Sequence, residues 1–457
     1  MQNNQLQTDN VKGSFDISPK TDYNYISEPG LLPEEWNSCT LNQTDYFDYE
    51  NGIWKGTKGE LVNCNVLRNT NFRNDGTLNY SDVATIPIEK RHLNKKQLKF
   101  GDIIIERSGG GPTQPVGRVV FFERDNEIFC FSNFTSRLRV IDHKKVDPRF
   151  LHLYLFYFHS IGKTNELQQR TTGIRNLMFE DYKKSVIPLP PLPEQLAIAA
   201  TLRTVQEAKE KTDAMIAATK ALKAAMMKHL FTYGPVPPEE AERVVLKETE
   251  IGAVPEGWDI KSLKEVSKIY SGGTPSKDNP EFWNGEIPWA SPKDLKSLIL
   301  DDVIDHISEE GLAAGSRLVP ANSIFIVIRG MILIRDVPVS LITRPMAFNQ
   351  DMKAICPNPE IDPMYLLHAI SQYRMNLSRH IGTSAHGTKR ISTSAIEDFL
   401  IPVPPKKEQK IVVDMLNSID QKLAAEQSRR EALKTLFNSL LHDLMTAKIR
   451  VSSAEAT

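Results

Sequence analysis

Apolar residues recur at helical spacing through two long segments of the chain, 194–232 and 408–450, and neither segment contains proline or glycine. This pattern predicts two long amphipathic helices, each with one apolar stripe. The predicted stripe of the first helix consists of Leu202, Val205, Met215, Leu222 and Met226. The predicted stripe of the second helix consists of Leu416, Ile419, Leu423, Leu433, Leu436, Leu440 and Leu444.

Each apolar stripe needs a partner surface, and the only other stripe of equal length lies on the other helix. The two helices are therefore expected to pair as an intramolecular coiled coil. The sequence leaves open whether they run parallel or antiparallel. In the alternative interpretation, each helix packs only on its own globular domain.

A proline-rich junction precedes each helix. Residues 187–195 read IPLPPLPEQ and residues 401–409 read IPVPPKKEQ, 214 positions later. Proline is tolerated in the first helical turn, where its missing N–H has no partner in any case. Glu194 and Glu408 fall in the first turn, where the helix dipole favours negative charge. We interpret the repeated junction as a rigid mount between a globular domain and its helix.

The repeat extends on both sides of the junction. The same offset relates Leu202 to Leu416 and the segment GIRNL at 173–177 to GTKRI at 387–391. Farther upstream the offset drifts, since DPRFL at 147 matches DPMYL at 362 and LPEEW at 32 matches VPEGW at 254. Asp followed by Pro predicts a helix start, with Asp as the N-cap. The chain thus contains an internal repeat. The junctions and helices form a scaffold common to both halves, and the globular parts joined to it have diverged.

Strand-like and helical runs alternate in each globular part, so the predicted fold class is α/β (α+β). The predicted strands are FGDIIIERS at 100–108, VVFFE at 119–123 and SIFIVIRG at 323–330. The predicted organisation is an N-terminal tail (1–24), a globular domain (25–193), a helix (194–232), a linker (233–253), a second globular domain (254–407) and a second helix (408–450).

Bulk properties limit the class of protein only loosely. A chain of 457 residues suggests two to four domains. The first residues lack a secretory signal pattern, and the apolar run at 150–161 is too short to span a bilayer. The four cysteines are scattered, which favours a reducing cytoplasm. The net charge is −1, but charges cluster locally in a basic stretch at 90–99 and an acidic stretch at 301–310. Each stretch can be a solvated face or a binding surface.

Motifs for catalysis are missing from the sequence. The glycine-rich segment 109–119 lacks the pattern of an ATP-binding phosphate loop. Asp362-Pro-Met-Tyr365 is similar to an amino-methyltransferase motif, but the second proline is absent and a helix start explains it better. The ten histidines show no metal-ligand spacing. No catalytic or metal-binding residues are therefore predicted.

The chain resembles the specificity (S) subunits of type I DNA restriction–modification systems. The resemblance covers nearly the whole sequence and rests on the two proline junctions, the two helices and the repeat. It rests also on SGGTPSKDNPEFWNGEIPWASPKDL at 271–295, which is similar to the family's GGTPS…NPxYW…G…IPW…DL stretch. The first half lacks this stretch, so its globular domain resembles a different subfamily.

The resemblance implies a non-catalytic protein that binds double-stranded DNA. It implies two target-recognition domains, each reading one half of a split, asymmetric sequence, separated by two paired helices that act as a spacer. It also implies docking of two methyltransferase (M) subunits and, through them, of restriction (R) subunits. The chain itself is expected to bind no cofactor, while its partners use S-adenosylmethionine, ATP and Mg. A cytoplasmic, prokaryotic protein without a membrane association is expected.

Two other classes of function stay open from the residues. The first is a coiled-coil adaptor that binds only proteins, and the second is a stand-alone nuclease. DNA contacts are expected from basic and polar residues near glycine-rich turns, although the same residues suit a tight loop or a capped turn. Trp283 and Trp289 are assigned to the core. The candidate DNA contacts are Arg107, Ser108, Gly109, Gly110, Gln114, Arg118, Thr171, Thr172, Arg175, Asn176, Ser271, Thr274, Ser276, Lys293, Ser384, His386, Lys389 and Arg390.

Overall fold

The computed structural model describes residues 23–26, 30–56, 59–111, 114–125, 127–170, 174–383 and 387–451. The chain divides into two compact units. Unit 1 contains Met1–Lys211 and Arg429–Thr457, and unit 2 contains Thr212–Ser428. Each unit therefore combines one globular domain with half of each long helix.

Helices of very different length occur in the described residues. Two span 42 and 40 residues, and the others are short. The helices are α1 (Lys90–Lys96), α2 (Pro148–Ser160), α3 (Phe179–Lys183), α4 (Leu192–Tyr233), α5 (Leu263–Val266), α6 (Glu309–Gly315), α7 (Pro363–Tyr373), α8 (Thr393–Glu397) and α9 (Lys406–Met445). None of the described helices combines the length and apolar character needed to span a bilayer.

The strands found among the described residues of unit 1 form five small sheets. They are β1 (Tyr23–Ile26), β2 (Gly30–Pro33), β3 (Asn37–Thr40), β4 (Phe47–Asn51), β5 (Leu61–Leu67), β6 (Ala84–Glu89), β7 (Ile103–Glu106), β8 (Ser108–Gly110), β9 (Val119–Phe121), β10 (Phe129–Phe131), β11 (Thr135–Val140), β12 (Gln168–Arg170), β13 (Arg175–Leu177) and β14 (Val186–Leu189). The sheet orders are β1-β2, β10-β5-β6, β4-β11-β7-β9, β12-β13-β8 and β14-β3.

In unit 2, the strands that the structure describes also form five sheets. They are β15 (Leu246–Thr249), β16 (Gly252–Pro255), β17 (Asp259–Ser262), β18 (Ser267–Ser271), β19 (Ile287–Ala290), β20 (Ile299–Leu300), β21 (His306–Ile307), β22 (Leu318–Val319), β23 (Ile324–Val327), β24 (Val339–Ile342), β25 (Met346–Phe348), β26 (Met352–Pro357), β27 (Ile381–Thr383), β28 (Lys389–Ile391) and β29 (Leu400–Val403). The sheet orders are β15-β16, β17-β29, β18-β26-β23-β24-β20, β21-β19-β25-β22 and β27-β28.

The predicted mixed α/β class is confirmed, and the three strands expected from sequence are present but shorter than predicted. The central strands β7 and β23 are buried along their whole length, as a continuous apolar run requires. The Asp-Pro helix starts are also confirmed. Asp147 accepts a hydrogen bond from Phe150 N at 2.8 Å, and Asp362 accepts from Tyr365 N at 3.0 Å.

The two long helices pack against each other in an antiparallel sense within each unit. In unit 1, Ile198 and Leu202 of α4 share a core with Leu441 and Leu444 of α9. In unit 2, the order is reversed along α9: Leu230 and Phe231 of α4 join Val412 and Leu416. The Nζ of Lys223 also lies 2.5 Å from Asp420 Oδ1. The pairing expected from sequence is thus present, and its direction, which the sequence left open, is antiparallel.

The seam of α4 differs from the predicted apolar stripe. Met215 and Leu222 are 43% and 50% exposed, whereas Thr212, Ile216 and Thr219 are buried. On α9, Leu436 is 45% exposed and its neighbour Phe437 packs inward. The buried positions follow the alternating three- and four-residue spacing of a coiled coil even where the residue is threonine. The prediction was wrong at these positions because it followed apolar identity instead of spacing.

The proline junctions hold the same hydrogen bonds in both units. Strand β14 is followed by Pro190, Pro191 and α4, and the Pro191 carbonyl accepts from Glu194 N and Gln195 N at 2.9 and 3.1 Å. The Pro405 carbonyl accepts from Glu408 N and Gln409 N at 2.8 and 3.1 Å. A rigid proline therefore supplies the first carbonyl of each long helix.

The Gln that ends each junction ties the long helix to the N-cap of an earlier helix, α2 in unit 1 and α7 in unit 2. Gln195 Oε1 accepts from Asp147 N at 2.8 Å, and its Nε2 donates to the Pro190 carbonyl at 2.8 Å. In unit 2, Gln409 Oε1 accepts from Asp362 N at 2.8 Å, and its Nε2 donates to the Pro404 carbonyl at 3.0 Å. Both amides are buried, where an unpaired polar group would be costly. This shared clamp explains why the Gln recurs at both junctions.

Helix α9 ends at Met445, five residues before the predicted end at Arg450. Ala447 adopts a left-handed conformation with φ of 55°, which terminates the helix. The chain then turns back, and Arg450 Nη2 lies 2.8 Å from Glu194 Oε2. The basic residue predicted to be helical instead neutralises the first turn of α4.

Candidate nucleic-acid interface

A loop that follows a buried central strand meets a two-stranded hairpin in each unit. In unit 1, β8 pairs with β13, and Leu177 N donates to the Arg107 carbonyl at 2.8 Å. In unit 2, Ile391 N donates to the Ile328 carbonyl at 2.8 Å, and the backbones of Arg329 and Arg390 form an isolated antiparallel β-bridge. The hairpin strands are β12-β13 in unit 1 and β27-β28 in unit 2. The backbone arrangement is common to both units, and the side chains on it differ.

Five predicted contacts of unit 1 come together at this loop and hairpin. Ser108 Oγ lies 2.5 Å from Asn176 Oδ1, and Arg175 pairs with Gly110 across the sheet. Arg107 Nη1 donates to Asn51 Oδ1 at 2.5 Å, and its guanidinium stacks over the Phe179 ring at 4.5 Å. The cluster therefore presents cationic and amide groups that suit phosphate and base recognition.

The glycines of this loop have close neighbours. A Cβ at Gly109, where φ is +99°, would lie 2.6 Å from Asn69 Nδ2, and one at Gly110 would lie 2.6 Å from Val116 Cγ1. Gly111 alone of the three faces open space. Packing thus accounts for glycine at 109 and 110, and their predicted approach to a phosphate stays a prediction.

Arg118 occupies a structural position beneath the loop. Its Nε and Nη2 donate to the two oxygens of Glu106 at 2.8 and 2.7 Å, and Nη2 also donates to the Asn69 carbonyl at 3.1 Å. The side chain of Arg118 is only 12% exposed. Gln114, oriented with its amide oxygen toward Arg118, accepts from Nη1 at 2.8 Å. The donors of Arg118 are thus used inside the protein.

Five predicted contacts of unit 2 lie on two segments, the end of β18 with the turn that follows it and the strand β28. Ser271 Oγ accepts from Lys353 Nζ at 2.6 Å, and Thr274 donates to Gln350 Oε1 at 2.5 Å. Lys389, which donates from Nζ to Thr383 Oγ1 at 2.8 Å, and Arg390 lie on β28. Ser276 continues the same segment and is exposed.

The glycines of the GGTPS segment in unit 2 are required by packing. A Cβ at Gly272 would lie 2.3 Å from the Phe348 carbonyl oxygen, and one at Gly273 would lie 2.0 Å from the Gly315 carbonyl oxygen. Trp289, predicted to be core, is buried and donates to the Gly273 carbonyl at 3.0 Å, while Trp283 is partly buried against it. The motif therefore fixes a turn that carries Ser271, Thr274 and Ser276 on the surface.

Other charged residues singled out from sequence lie in ion pairs. Lys293, a predicted contact, has its Nζ 2.6 Å from Asp305 Oδ2, which raises the pKa of Lys293. The basic stretch forms α1, where Lys90 pairs with Glu60 at 2.7 Å and Lys96 with Glu50 at 3.2 Å. Both charged stretches are thus partly neutralised.

Four candidates, Thr171, Thr172, Ser384 and His386, lie outside the described residues. The structure adds residues that the sequence did not single out. Asn51, the last residue of β4, binds Arg107, and Trp54, 74% exposed, lies three positions farther along the chain. In unit 2, the turn after Gly330 exposes Met331, Ile332 and Ile334. Apolar side chains carry no sequence signal of exposure, so only the fold reveals them.

Comparison with known proteins identifies one family. The model of the type I restriction modification DNA specificity domain matches residues 33–216 and 255–435. The chain is 36% identical over 243 residues to the type I restriction enzyme EcoR124I/EcoR124II specificity subunit of Escherichia coli, covering 52% of this chain and 56% of that protein. The match thus spans little more than half of that relative's length.

A longer but weaker similarity covers nearly the whole chain. It relates this chain at 23% identity over 432 residues to a curated Methanocaldococcus jannaschii protein, the type I restriction enzyme MjaX specificity subunit, covering 93% and 96% of the two chains. Among solved structures, an S subunit of a type I restriction–modification system from M. genitalium superimposes with a TM-score of 0.57 at 17% identity, covering 90% of this chain and 96% of that one. A chain from a structural study of type I complex assembly gives a TM-score of 0.54 at 19% identity, covering 92% and 100%. These structures share the fold.

Proposed function

Because the chain belongs to the family of type I restriction modification DNA specificity domains, we propose that it selects the DNA sequence on which a type I restriction–modification complex acts. Unit 1 reads one half of a split target in double-stranded DNA, and unit 2 reads the other half. The observation that carries this proposal is the loop and hairpin pairing that occurs once in each unit on the same backbone hydrogen bond, Leu177 N to Arg107 O and Ile391 N to Ile328 O.

The difference between the two sites explains an asymmetric target. Unit 1 presents Arg107, Ser108 and Asn176, a set rich in groups that hydrogen-bond to base edges. Unit 2 presents Lys389 and Arg390 beside exposed apolar residues. One common scaffold with different side chains therefore reads two unrelated short sequences.

The long helices serve as the docking platform for two methyltransferase subunits, and through them for restriction subunits. Support comes from the exposed apolar residues off the helix seam, which include Met215, Leu222 and Leu436 at 43–50% exposure. Exposed apolar groups of this kind mark protein contacts. The partner subunits supply S-adenosylmethionine, ATP and Mg, and this chain contributes recognition without chemistry of its own. We place the complex in the prokaryotic cytoplasm, where its DNA lies.

The test is to assemble the chain with its methyltransferase partners and to measure binding to genomic duplexes, followed by mapping of methylated adenines. A single split target motif is expected. Replacing residues 254–400 with the reader domain of another family member should change only one half of that motif. An assembly that binds its partners but shows no sequence preference in DNA would favour the adaptor function instead.

A further inference from the structure

Three apolar side chains project from one short turn of unit 2. The 3-10 helix Met331–Ile334 follows the buried strand β23, and it leaves Met331 60%, Ile332 42% and Ile334 60% exposed. Leu333 between them is buried and anchors the turn in the core. Clustered exposure of large apolar groups is unfavourable in water and marks a surface that binds a partner.

The turn is held at both ends. Gly330, with φ of +141°, donates from its backbone N to the Lys389 carbonyl at 3.0 Å, which ties the start of the turn to the hairpin strand β28. At the other end, both oxygens of Asp336 accept from the Arg374 guanidinium, at 2.8 and 3.1 Å. The apolar tip is therefore preorganised, and little ordering entropy opposes binding through it.

Positive charge surrounds the tip. Arg335 continues the turn into solvent, and Arg390 is exposed on the neighbouring strand. In the described part of the chain, neither guanidinium has a carboxylate within ion-pair distance. The nearby carboxylates are paired, Asp336 with Arg374 and Asp351 with Arg329. An apolar tip flanked by free cations complements a polyanion that also offers an apolar surface, as duplex DNA does.

We propose that Met331, Ile332 and Ile334 form an apolar contact with the bases of the second half-site, while Arg335 and Arg390 bind the flanking phosphates. This proposal rests on the proposed function and names the chemistry by which unit 2 reads DNA. Apolar side chains discriminate bases through thymine methyl groups or by entering a base step. The corresponding loop of unit 1 is polar, so the two units read DNA by different chemistry.

The first experiment uses the assembled complex with its methyltransferase partners and a duplex that carries the mapped target. The double variant Ile332→Ser/Ile334→Ser should weaken binding by roughly tenfold or more, since two apolar side chains lose their contact. The dependence of affinity on salt should keep its slope, because no phosphate contact is lost. Arg335→Ala should instead reduce that slope by about one counterion. Ile304→Ser is the matched control, because Ile304 is an isoleucine of the same unit with 83% exposure and belongs to the segment between β20 and β21, outside the turn.

A second measurement requires no substitution. Oxidative footprinting of the wild-type complex should show Met331 protected by the target duplex and unprotected by a duplex whose second half-site is scrambled. Equal oxidation of Met331 with both duplexes, or a double variant that binds and methylates like wild type, overturns the proposal. A double variant that fails to assemble with the methyltransferase in the absence of DNA would identify the turn as a protein-docking site and overturns it too.

The outcomes separate this inference from the proposed function. If wild-type complex binds its split target and the double variant does so equally well, only the apolar contact is wrong. If wild-type complex shows no sequence preference, the proposed function itself fails. Methylome mapping of the double variant should show relaxed preference in the second half-site and an unchanged first half-site.

Discussion

The indole Nε1 of Trp258 donates a hydrogen bond to Glu408 Oε2 at 2.8 Å. These residues are 150 positions apart, and the bond ties the entry to the second globular domain to the first turn of α9. In unit 1, Trp36 Nε1 bonds to Glu194 Oε2 at 3.0 Å in the same way. The repeated W and EQ of the two halves are therefore partners in space.

Trp258→Phe should destabilise unit 2 by about 1–3 kcal/mol, because it removes the donor to a carboxylate while keeping an aromatic ring. Trp36→Phe should cost less, since Glu194 keeps its ion pair with Arg450 whereas Glu408 has no cation at ion-pair distance among the described residues. Urea unfolding of the two variants checks the order. Equal losses would mean that Arg450 contributes nothing to the first junction.

Arg118 and Arg175 should separate stability from recognition. Arg118→Ala leaves Glu106, whose side chain is 1% exposed, without its guanidinium partner, and should destabilise unit 1 by about 3–5 kcal/mol. Arg175→Ala should leave the unfolding free energy unchanged and weaken DNA binding with a flatter salt dependence, since a phosphate contact is lost. Denaturation and salt-titrated binding distinguish them. If Arg175→Ala bound DNA with unaltered affinity, the hairpin would have only a structural role.

These two arginines also show which features of the fold can be predicted from the sequence and which cannot. The repeat, the helices and the helix starts were predictable because spacing and proline chemistry are local. The pairing of β13 with β8 joins residues far apart in the chain, and no local pattern encodes it. Arg118 and Arg175 each lie within two residues after a glycine, so only the position of Glu106 reveals which one is buried.

His368 should make unit 2 sensitive to acid. The side chain is fully buried, neither ring nitrogen has a hydrogen-bond partner, and burial, with Lys223 nearby, lowers its pKa to about 4. Between pH 6.5 and about 4, the unfolded chain binds a proton that the folded protein excludes. The free energy of unfolding should therefore fall by about 1.4 kcal/mol for each unit by which the pH is lowered through this window.

His368→Leu should remove this part of the pH dependence, because leucine does not titrate. Leucine also occupies the matching position, Leu153, in the first repeat. The measurement is the unfolding free energy of both proteins at pH 7.5 and 5. His152, whose pKa burial also lowers to about 4, stays in both proteins and leaves a common residual slope. Parallel curves for wild type and variant would show that His368 is protonated in the folded state.

Leu222→Ser and Leu436→Ser should weaken assembly with the methyltransferase without unfolding the helices. Both side chains are 45–50% exposed and lie off the seam, so the fold loses little when they become polar. Ile216→Ser is the contrasting variant, because Ile216 is buried on the seam and its loss should destabilise the helix. Assembly is measured by titrating the purified partner and detecting the complex by mass. If both exposed variants assembled like wild type, the docking site would not include Leu222 and Leu436.

The long helices are expected to set the gap between the two half-sites. Four residues inserted after Ala217, an exposed position of α4, add about one turn, or roughly 6 Å. Four is the least disruptive small insertion, because it shifts the seam only locally. At about 3.4 Å per base pair, the unread gap should lengthen by one to two base pairs.

Both half-site sequences should stay the same, because the loops and hairpins that read them are untouched. The insertion must be tested in the assembled methyltransferase, since the partners also have to span the longer gap. The same four residues placed after Glu240, in the exposed linker, serve as the control and should leave the gap as it was. Methylome mapping gives the gap directly for each protein. An active enzyme whose gap is unchanged after the helical insertion would contradict the prediction. A longer helix would then leave the distance between the half-sites as it was, so another element would have to set that distance.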